Sequence, residues 1–232
     1  MSSSVFLYLL MGYLIGSIPF AYLMGRLKGG NIFQQGSGNP GATNTLVVYG
    51  KKAAIVVLVL DVLKGFLPAC IVGQTTGDLS LAFWAGAGAV LGHAFSLYTK
   101  FKGGKALACA GGALLYLAPV VLLIVVAAYV LLLLITRYIV FATTLVIVAA
   151  VGYFVYTDHP LANDLALLTM VVGVLYRHLP NWERMYLRNE PKVGQPVEEL
   201  KLTRLPHNQQ VALRIGYFAF AAVVYVAVIF IR

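Results

Sequence analysis

Residues 120–135 read VVLLIVVAAYVLLLLI, a run with no charge and a single hydroxyl group, that of Tyr129. Other apolar stretches cover roughly residues 5–25, 53–73, 79–99, the interrupted region 106–157, 161–176 and 211–231. The hydrocarbon core of a bilayer is about 30 Å thick, and a helix rising 1.5 Å per residue needs about 20 apolar residues to cross it. Several of these stretches meet or approach that length. A membrane β-barrel would need apolar and polar residues in alternation, which these runs lack. With 60% hydrophobic and only 11% charged residues, the 232-residue chain is no ordinary soluble domain. The expected class is all-α: a polytopic integral membrane protein. Cys70 and Cys109 lie in apolar segments and form no metal-ligand spacing. The first segment lacks a basic N-terminal flank and runs on into Arg26 and Lys28, so no cleavable signal is expected.

The 17 Lys and Arg residues are unevenly placed. The N-terminus before Val5 and the loop 74–78 have none. Arg26, Lys28, Lys51 and Lys52 follow the first segment, and Lys100, Lys102 and Lys105 follow the third. Arg177, Arg184, Arg188, Lys192, Lys201 and Arg204 crowd the polar stretch 177–210. The positive-inside rule puts these regions on the cytoplasmic side and the N-terminus outside. An even number of crossings must then separate residues 105 and 177. Four short or tilted helices fit, at 106–118, 120–135, 138–156 and 161–176, with breaks at Pro119, 136–138 and 157–160. They also place Arg137 inside. The expectation is a seven-helix core over residues 1–194, then a cytoplasmic linker and an eighth transmembrane helix within 195–232. The segment 106–118 is short enough to be re-entrant.

The polar chemistry gathers in four islands on the cytoplasmic side. GSGNPGATN (36–44) offers glycines that take positive φ and turn backbone N–H groups toward one centre, a nest for phosphate or carboxylate oxygens. Ser37, Asn39, Thr43 and Asn44 add side-chain donors. The same composition also suits an ordinary turn. FKGGKALACAGG (101–112) places Lys102 and Lys105 around Gly103 and Gly104 at the start of an apolar helix. Such a start suits an anion, and its lysines suit a positive-inside anchor equally well. Asp61 and Lys64 share a helical face inside a membrane segment, where a mutual ion pair explains them better than direct catalysis. His93 is a lone intramembrane histidine, for which a hydrogen-bonded packing role is the simpler reading. The fourth island, 176–194, holds His178, Asn181 and Glu190 among several arginines and reads alone as a basic stretch touching anionic headgroups. His159 and Asp164 make an H-x4-D spacing that falls on the opposite side and reads as coincidence.

Taken in order, GSIPFAYLMGR (16–26), GSGNPGATN (36–44), DVLKG (61–65), GH (92–93), FKGGK (101–105) and RHLPNWER (177–184) with Glu190 resemble the bacterial acyl-phosphate:glycerol-3-phosphate acyltransferases, the PlsY family. The resemblance covers about residues 5–194. It implies a small seven-helix enzyme of the bacterial inner membrane with its active site on the cytoplasmic face. Such an enzyme moves a fatty acyl group from acyl phosphate to the 1-hydroxyl of glycerol 3-phosphate, giving lysophosphatidic acid and phosphate for phospholipid synthesis. The expected partners are those two substrates and membrane lipid, with no cofactor, metal or nucleic acid. The resemblance implies Ser37, Lys105, His178 and Asn181 as catalytic residues. It implies Gly36, Gly38, Asn39, Gly41, Thr43, Asn44, Lys102, Gly103 and Gly104 as substrate-binding, and Glu190 as a brace. Asp61, Lys64 and His93 are expected as structural support.

The chain also departs from the family pattern. Asn31 and Phe33 stand where the family has Asp and Arg, and Val47 where it has an arginine associated with catalysis. Ser96 replaces a Pro, Ala106 a Gly, and Val140 and Thr143 stand near the usual serines. No Arg occurs between Lys28 and Lys100. A charged hydrogen bond is worth about 1.5–3 kcal/mol, so a site for two phosphates feels the loss of two arginines. Lys51 or Lys52 is a candidate replacement. The alternatives are a paralogue with another substrate and a non-catalytic protein that binds acyl or phosphate ligands.

Overall fold

The structure of the protein, a computed structural model, describes residues 3–157, 159–193, 195 and 205–231. Lys201, Arg204 and most of the expected linker lie outside the described residues. The regular elements are helices: α1 (Ser3–Gly16), α2 (Phe20–Leu27), α3 (Ala42–Thr76), α4 (Leu79–Ala94), α5 (Leu107–Leu117), α6 (Pro119–Thr136), α7 (Ile139–Tyr156), α8 (Leu161–Tyr186) and α9 (His207–Ile231), with short 3-10 turns at Ile32–Gln34 and Leu97–Thr99. Five stretches among them are long and apolar enough to cross a membrane, α1 and α2 counting as one, and α5 and α7 are shorter apolar helices. The chain is an all-α integral membrane protein, and it divides into two compact units at Leu122/Leu123.

In the first unit α1 lies against α4, and α3 against both α4 and α5. Lipid tails are as apolar as the side chains, so membrane helices associate through close packing rather than hydrophobic exclusion. The sequence supplies small residues where that packing is closest. A Cβ at Gly12 or Gly16 would overlap the carbonyl of Ala85 or Ala89, and one at Gly88 or Gly92 would overlap that of Leu9 or Tyr13.

Two expected elements change form. The first apolar segment is broken at Ser17–Pro19, because Pro19 has no N–H to continue the helix. The carbonyls freed there are taken up by neighbours. Ser96 Oγ donates to Ser17 O at 2.5 Å, and Lys64 Nζ donates to Ile18 O at 2.8 Å. The second difference is α3, which starts at Ala42 rather than near residue 53 and runs for 35 residues. A straight helix of that length would measure about 52 Å, far beyond the bilayer core. Gly50, at φ 82° and ψ 176°, interrupts it and separates residues 42–49 from the span proper.

The second unit packs α7 on α8 and α8 on α9. Arg137, between α6 and α7, is tied to the stretch after α8: its Nη2 donates to Val193 O at 3.0 Å, and Val193 N–H donates back to Arg137 O at 2.8 Å. Residues 137 and 193 therefore lie at the same end of this unit. The apolar helix expected to stop at residue 176 continues to Tyr186 through Pro180, so RHLPNWER is helical rather than trailing.

Candidate active site

The helix break at 17–19 forms one wall of a narrow cleft in the first unit that opens to the surface. Its lining draws on five separated stretches: residues 16–20, Pro40, Asp61 with Lys64, His93 with Ser96, and Lys102 with Gly103 and Gly104. Three of the four sequence islands thus meet in one place. Asp61, Lys64 and His93 are 2%, 4% and 6% exposed, and a charge at that depth requires a partner. Lys64 Nζ lies 2.9 Å from Asp61 Oδ1 and 5.5 Å from the centre of the Phe20 ring, and His93 Nδ1 lies 3.6 Å from the same Asp61 oxygen.

The glycine pair is built onto this cluster. Gly104 N–H donates to His93 O at 3.0 Å. A Cβ on Gly103 would overlap the carbonyls of His93 and Ala94, and one on Gly104 would overlap the His93 ring and crowd Pro40 O. The glycines therefore allow the segment 102–104 to pack closely against the end of α4. Lys102 is exposed beside it and Lys105 half-buried. Ala106 takes left-handed φ 60° at the head of α5, a conformation that favours glycine and so accounts for the glycine of the family pattern. Ser96, in place of the family's proline, supplies a hydroxyl that proline could not offer Ser17.

The glycine-rich loop differs from the expected nest. Ser37 N–H donates to Asn44 Oδ1 at 2.9 Å, Gly38 N–H to Gln35 O at 3.0 Å, Asn39 N–H to Ser37 Oγ at 3.4 Å and Gly41 N–H to Asn39 O at 3.0 Å. Asn44 is 3% exposed, and its Nδ2 donates to Ile32 O and Gln35 O. It clamps the loop from inside. Gly36 and Gly38 have positive φ, 55° and 69°, which shapes the turn. The outward-directed donors instead come from the first turn of α3, where Ala42, Thr43 and Asn44 precede any intrahelical acceptor. Ser37 and Thr43 are exposed beside that turn. At the two departures from the family, Phe33 stacks on Tyr22 with ring centroids 5.6 Å apart, and Val47 is 57% exposed.

The remaining expected residues belong to the second unit, on α8 and just after it. His178 is fully buried, with Nδ1 2.8 Å from Val174 O. A carbonyl only accepts, so Nδ1 carries a proton and the neutral ring has its lone pair on Nε2. Asn181 Nδ2 donates to Glu190 Oε1 at 2.6 Å, and Arg184 Nε donates to Glu190 Oε2 at 2.7 Å. Each oxygen of the Glu190 carboxylate thus holds one neighbour in place. Sequence reasoning missed Arg184 as a member of this group, as it missed Ser17, Pro40 and Ser96 in the cleft. The proline inside the apolar run 16–20 was the available signal for the last set. His159 packs its ring on Phe154 at 5.1 Å. No cluster of metal-ligating side chains occurs among the described residues.

The family model described as "Glycerol-3-phosphate acyltransferase" matches residues 6–188. The chain belongs to the glycerol-3-phosphate acyltransferase family. It is 38% identical over 191 residues to the glycerol-3-phosphate acyltransferase of Geobacillus kaustophilus, covering 82% of this chain and 96% of that relative. It is 40% identical over 189 residues to the Bacillus subtilis protein of the same name, covering 81% and 96%. Among solved structures, it is similar to PlsY, an integral membrane glycerol 3-phosphate acyltransferase, in its glycerol 3-phosphate form. That match has a TM-score of 0.76 and 32% identity, over 83% of this chain and 96% of the other. The lysophosphatidic acid form of PlsY matches with a TM-score of 0.74, over 85% and 99%. The acyltransferase family thus spans both units of this chain and ends short of α9.

Proposed function

We propose that this protein transfers a fatty acyl group from acyl phosphate to the 1-hydroxyl of glycerol 3-phosphate, giving 1-acyl-glycerol 3-phosphate and phosphate. Family membership supports acyl transfer to glycerol 3-phosphate. The observation that carries the reading to these residues is the cleft of the first unit, which the glycine–lysine segment lines together with a buried charged cluster. Both substrates carry phosphate and one carries a long apolar chain, so donors at the edge of lipid-facing helices suit them. The α3 N-terminus, with Ser37 and Thr43, supplies one set of anion donors, and Lys102, Gly103 and Lys105 supply another. His178 and Asn181, with Asn181 braced by Glu190, are assigned to the same reaction from the family motif.

Acyl phosphate is already activated. The substrate hydroxyl attacks the acyl carbon, the carbon–oxygen bond to phosphate breaks, and the phosphate leaves with the bonding pair. The oxygen freed by that cleavage carries the bonding pair and is basic enough to take the hydroxyl proton, so no separate protein base is required. The protein orients the reactants and stabilises the developing negative charge. The basic residues of the cleft edge and of the stretch after α8 support an active site at the cytoplasmic face of the bacterial inner membrane. In this reading residues 1–194 form the acyltransferase and 195–232 an addition to it.

Donor choice is the test. Purified protein in detergent or nanodiscs receives labelled glycerol 3-phosphate with either palmitoyl phosphate or palmitoyl-CoA. Labelled 1-palmitoyl-glycerol 3-phosphate is expected from the phosphate donor alone. Product from the CoA donor alone, or from neither, overturns the proposal. A second reading, a protein that binds acyl or phosphate ligands without turnover, is favoured by one observation: Phe33 and Val47 leave both arginine positions apolar. It predicts saturable binding of glycerol 3-phosphate with no product.

A further inference from the structure

The family match ends at residue 188, yet the chain continues into α9, which packs along the helix that bears His178 and Asn181. That helix has a weak joint. Pro180 has no N–H, so the Tyr176 carbonyl loses its i+4 donor within the ladder. His178 lies before the joint and Asn181 after it. The extension grips α8 on both sides. Ahead of the proline, Tyr217 Oη donates to Val172 O at 2.6 Å, and the rings of Tyr217 and Phe218 sit on Tyr176 with centroids 6.1 and 5.3 Å away. Beyond it, the backbone N–H of Leu205, two residues before α9, donates to Oε1 of Glu183, which is 7% exposed. A helix that only anchored the chain in lipid would need neither a buried carboxylate at its entrance nor a hydroxyl directed at a mid-helix carbonyl.

We propose that the C-terminal extension is a splint across the proline joint of α8, and that Tyr217 and Glu183 are positioning residues that fix the angle at which His178 and Asn181 are presented. The link to catalysis rests on the function proposed above, whereas the splint itself stands on the contacts of α8 and α9. Hinged helices settle at angles set by what bridges them, and a misplacement of about 1 Å in a catalytic group costs about a hundredfold in rate.

The test uses the full chain. In a Trp84→Phe background Trp182 is the remaining tryptophan, placed beyond the joint with its Nε1 donating to Thr144 Oγ1 at 3.2 Å. Its emission reports the placement of that half of α8. Glu183→Ala is expected to shift the emission and lower kcat/KM for glycerol 3-phosphate about tenfold. Tyr217→Phe, which keeps the ring and loses the hydroxyl, is expected to lower it about threefold. Glu183→Gln, which keeps an acceptor for Leu205 N–H, is expected to restore both readouts most of the way. Phe220→Ala, 67% exposed on α9, is the control and leaves both unchanged. Wild-type kinetics and emission in both Glu183→Ala and Tyr217→Phe overturn the splint, even where thermal stability falls. If the wild-type protein turns over no acyl phosphate, the kinetic arm counts against the proposed function, and the emission arm still decides the splint.

Discussion

Asn44 shows how one buried amide organises a loop of small residues. Its Oδ1 accepts from Ser37 N–H, and its Nδ2 reaches Ile32 O and Gln35 O, so both ends of the turn hang on one side chain. Asn44→Ala removes three hydrogen bonds and is expected to cost about 2–3 kcal/mol, read as a fall in thermal unfolding temperature. KM for glycerol 3-phosphate is expected to rise with it, because Ser37 loses its support. A change in neither would show that the loop is held by its glycines. The missing arginines are a second matter at this scale. Lys51 and Lys52 are exposed directly after the Gly50 break, close in sequence to Val47. If one of them supplies the lost cation, Lys51→Ala or Lys52→Ala raises KM about 10- to 100-fold, the equivalent of one charged hydrogen bond. Val47→Arg then lowers KM and removes that dependence. Equal KM in all three variants would show that the site works without a cation from this helix.

At the scale of elements, most helices were legible because lipid demands uninterrupted apolar length, and the chain displays it openly. The breaks were harder to read. Pro19 was visible, but that it splits the first span follows from Ser96 and Lys64 being at hand to satisfy the freed carbonyls, contacts 79 and 46 residues away in sequence. Likewise, GATN reads as loop by composition and becomes helix because Asn44 is buried against residues 32–37. The glycine pair 103–104 was marked as functional from its type alone. Its packing against His93 and Pro40 was not readable from sequence. Asp61–Lys64 was legible as an i,i+3 pair, and its links to His93 and Ile18 were not. Asp61→Ala leaves the Lys64 ammonium buried and uncompensated. It is expected to destabilise the protein by about 3–5 kcal/mol, measured by thermal unfolding in detergent, whereas Asp61→Leu with Lys64→Met is expected to cost much less. An Asp61→Ala protein as stable as the double variant would contradict the ion-pair account. Gly88→Leu, which would drive a side chain into the Leu9 carbonyl, is expected to abolish the folded monodisperse protein.

For the whole molecule, charge asymmetry gives an orientation that can be tested directly. In a Cys70→Ser/Cys109→Ser background, Thr75→Cys, in the last turn of α3, is expected to label from outside intact cells. Lys102→Cys is expected to label only after permeabilisation. The reverse pattern would invert the proposed topology and move the cleft to the other face. The family resemblance was legible because six short motifs kept their order between residues 16 and 190, and the same resemblance marks where this chain departs from the family pattern. What the molecule must then do is catalyse acyl transfer with Phe33 and Val47 at the two arginine positions of the family pattern. The measurement that reaches this most directly is formation of labelled 1-palmitoyl-glycerol 3-phosphate from palmitoyl phosphate by the wild-type protein and by Ser37→Ala, with thermal unfolding recorded on the same preparations. Turnover by the wild type is expected, with a loss of about a hundredfold or more in the variant at unchanged stability. Two folded but silent proteins, or equal turnover in both, would contradict it.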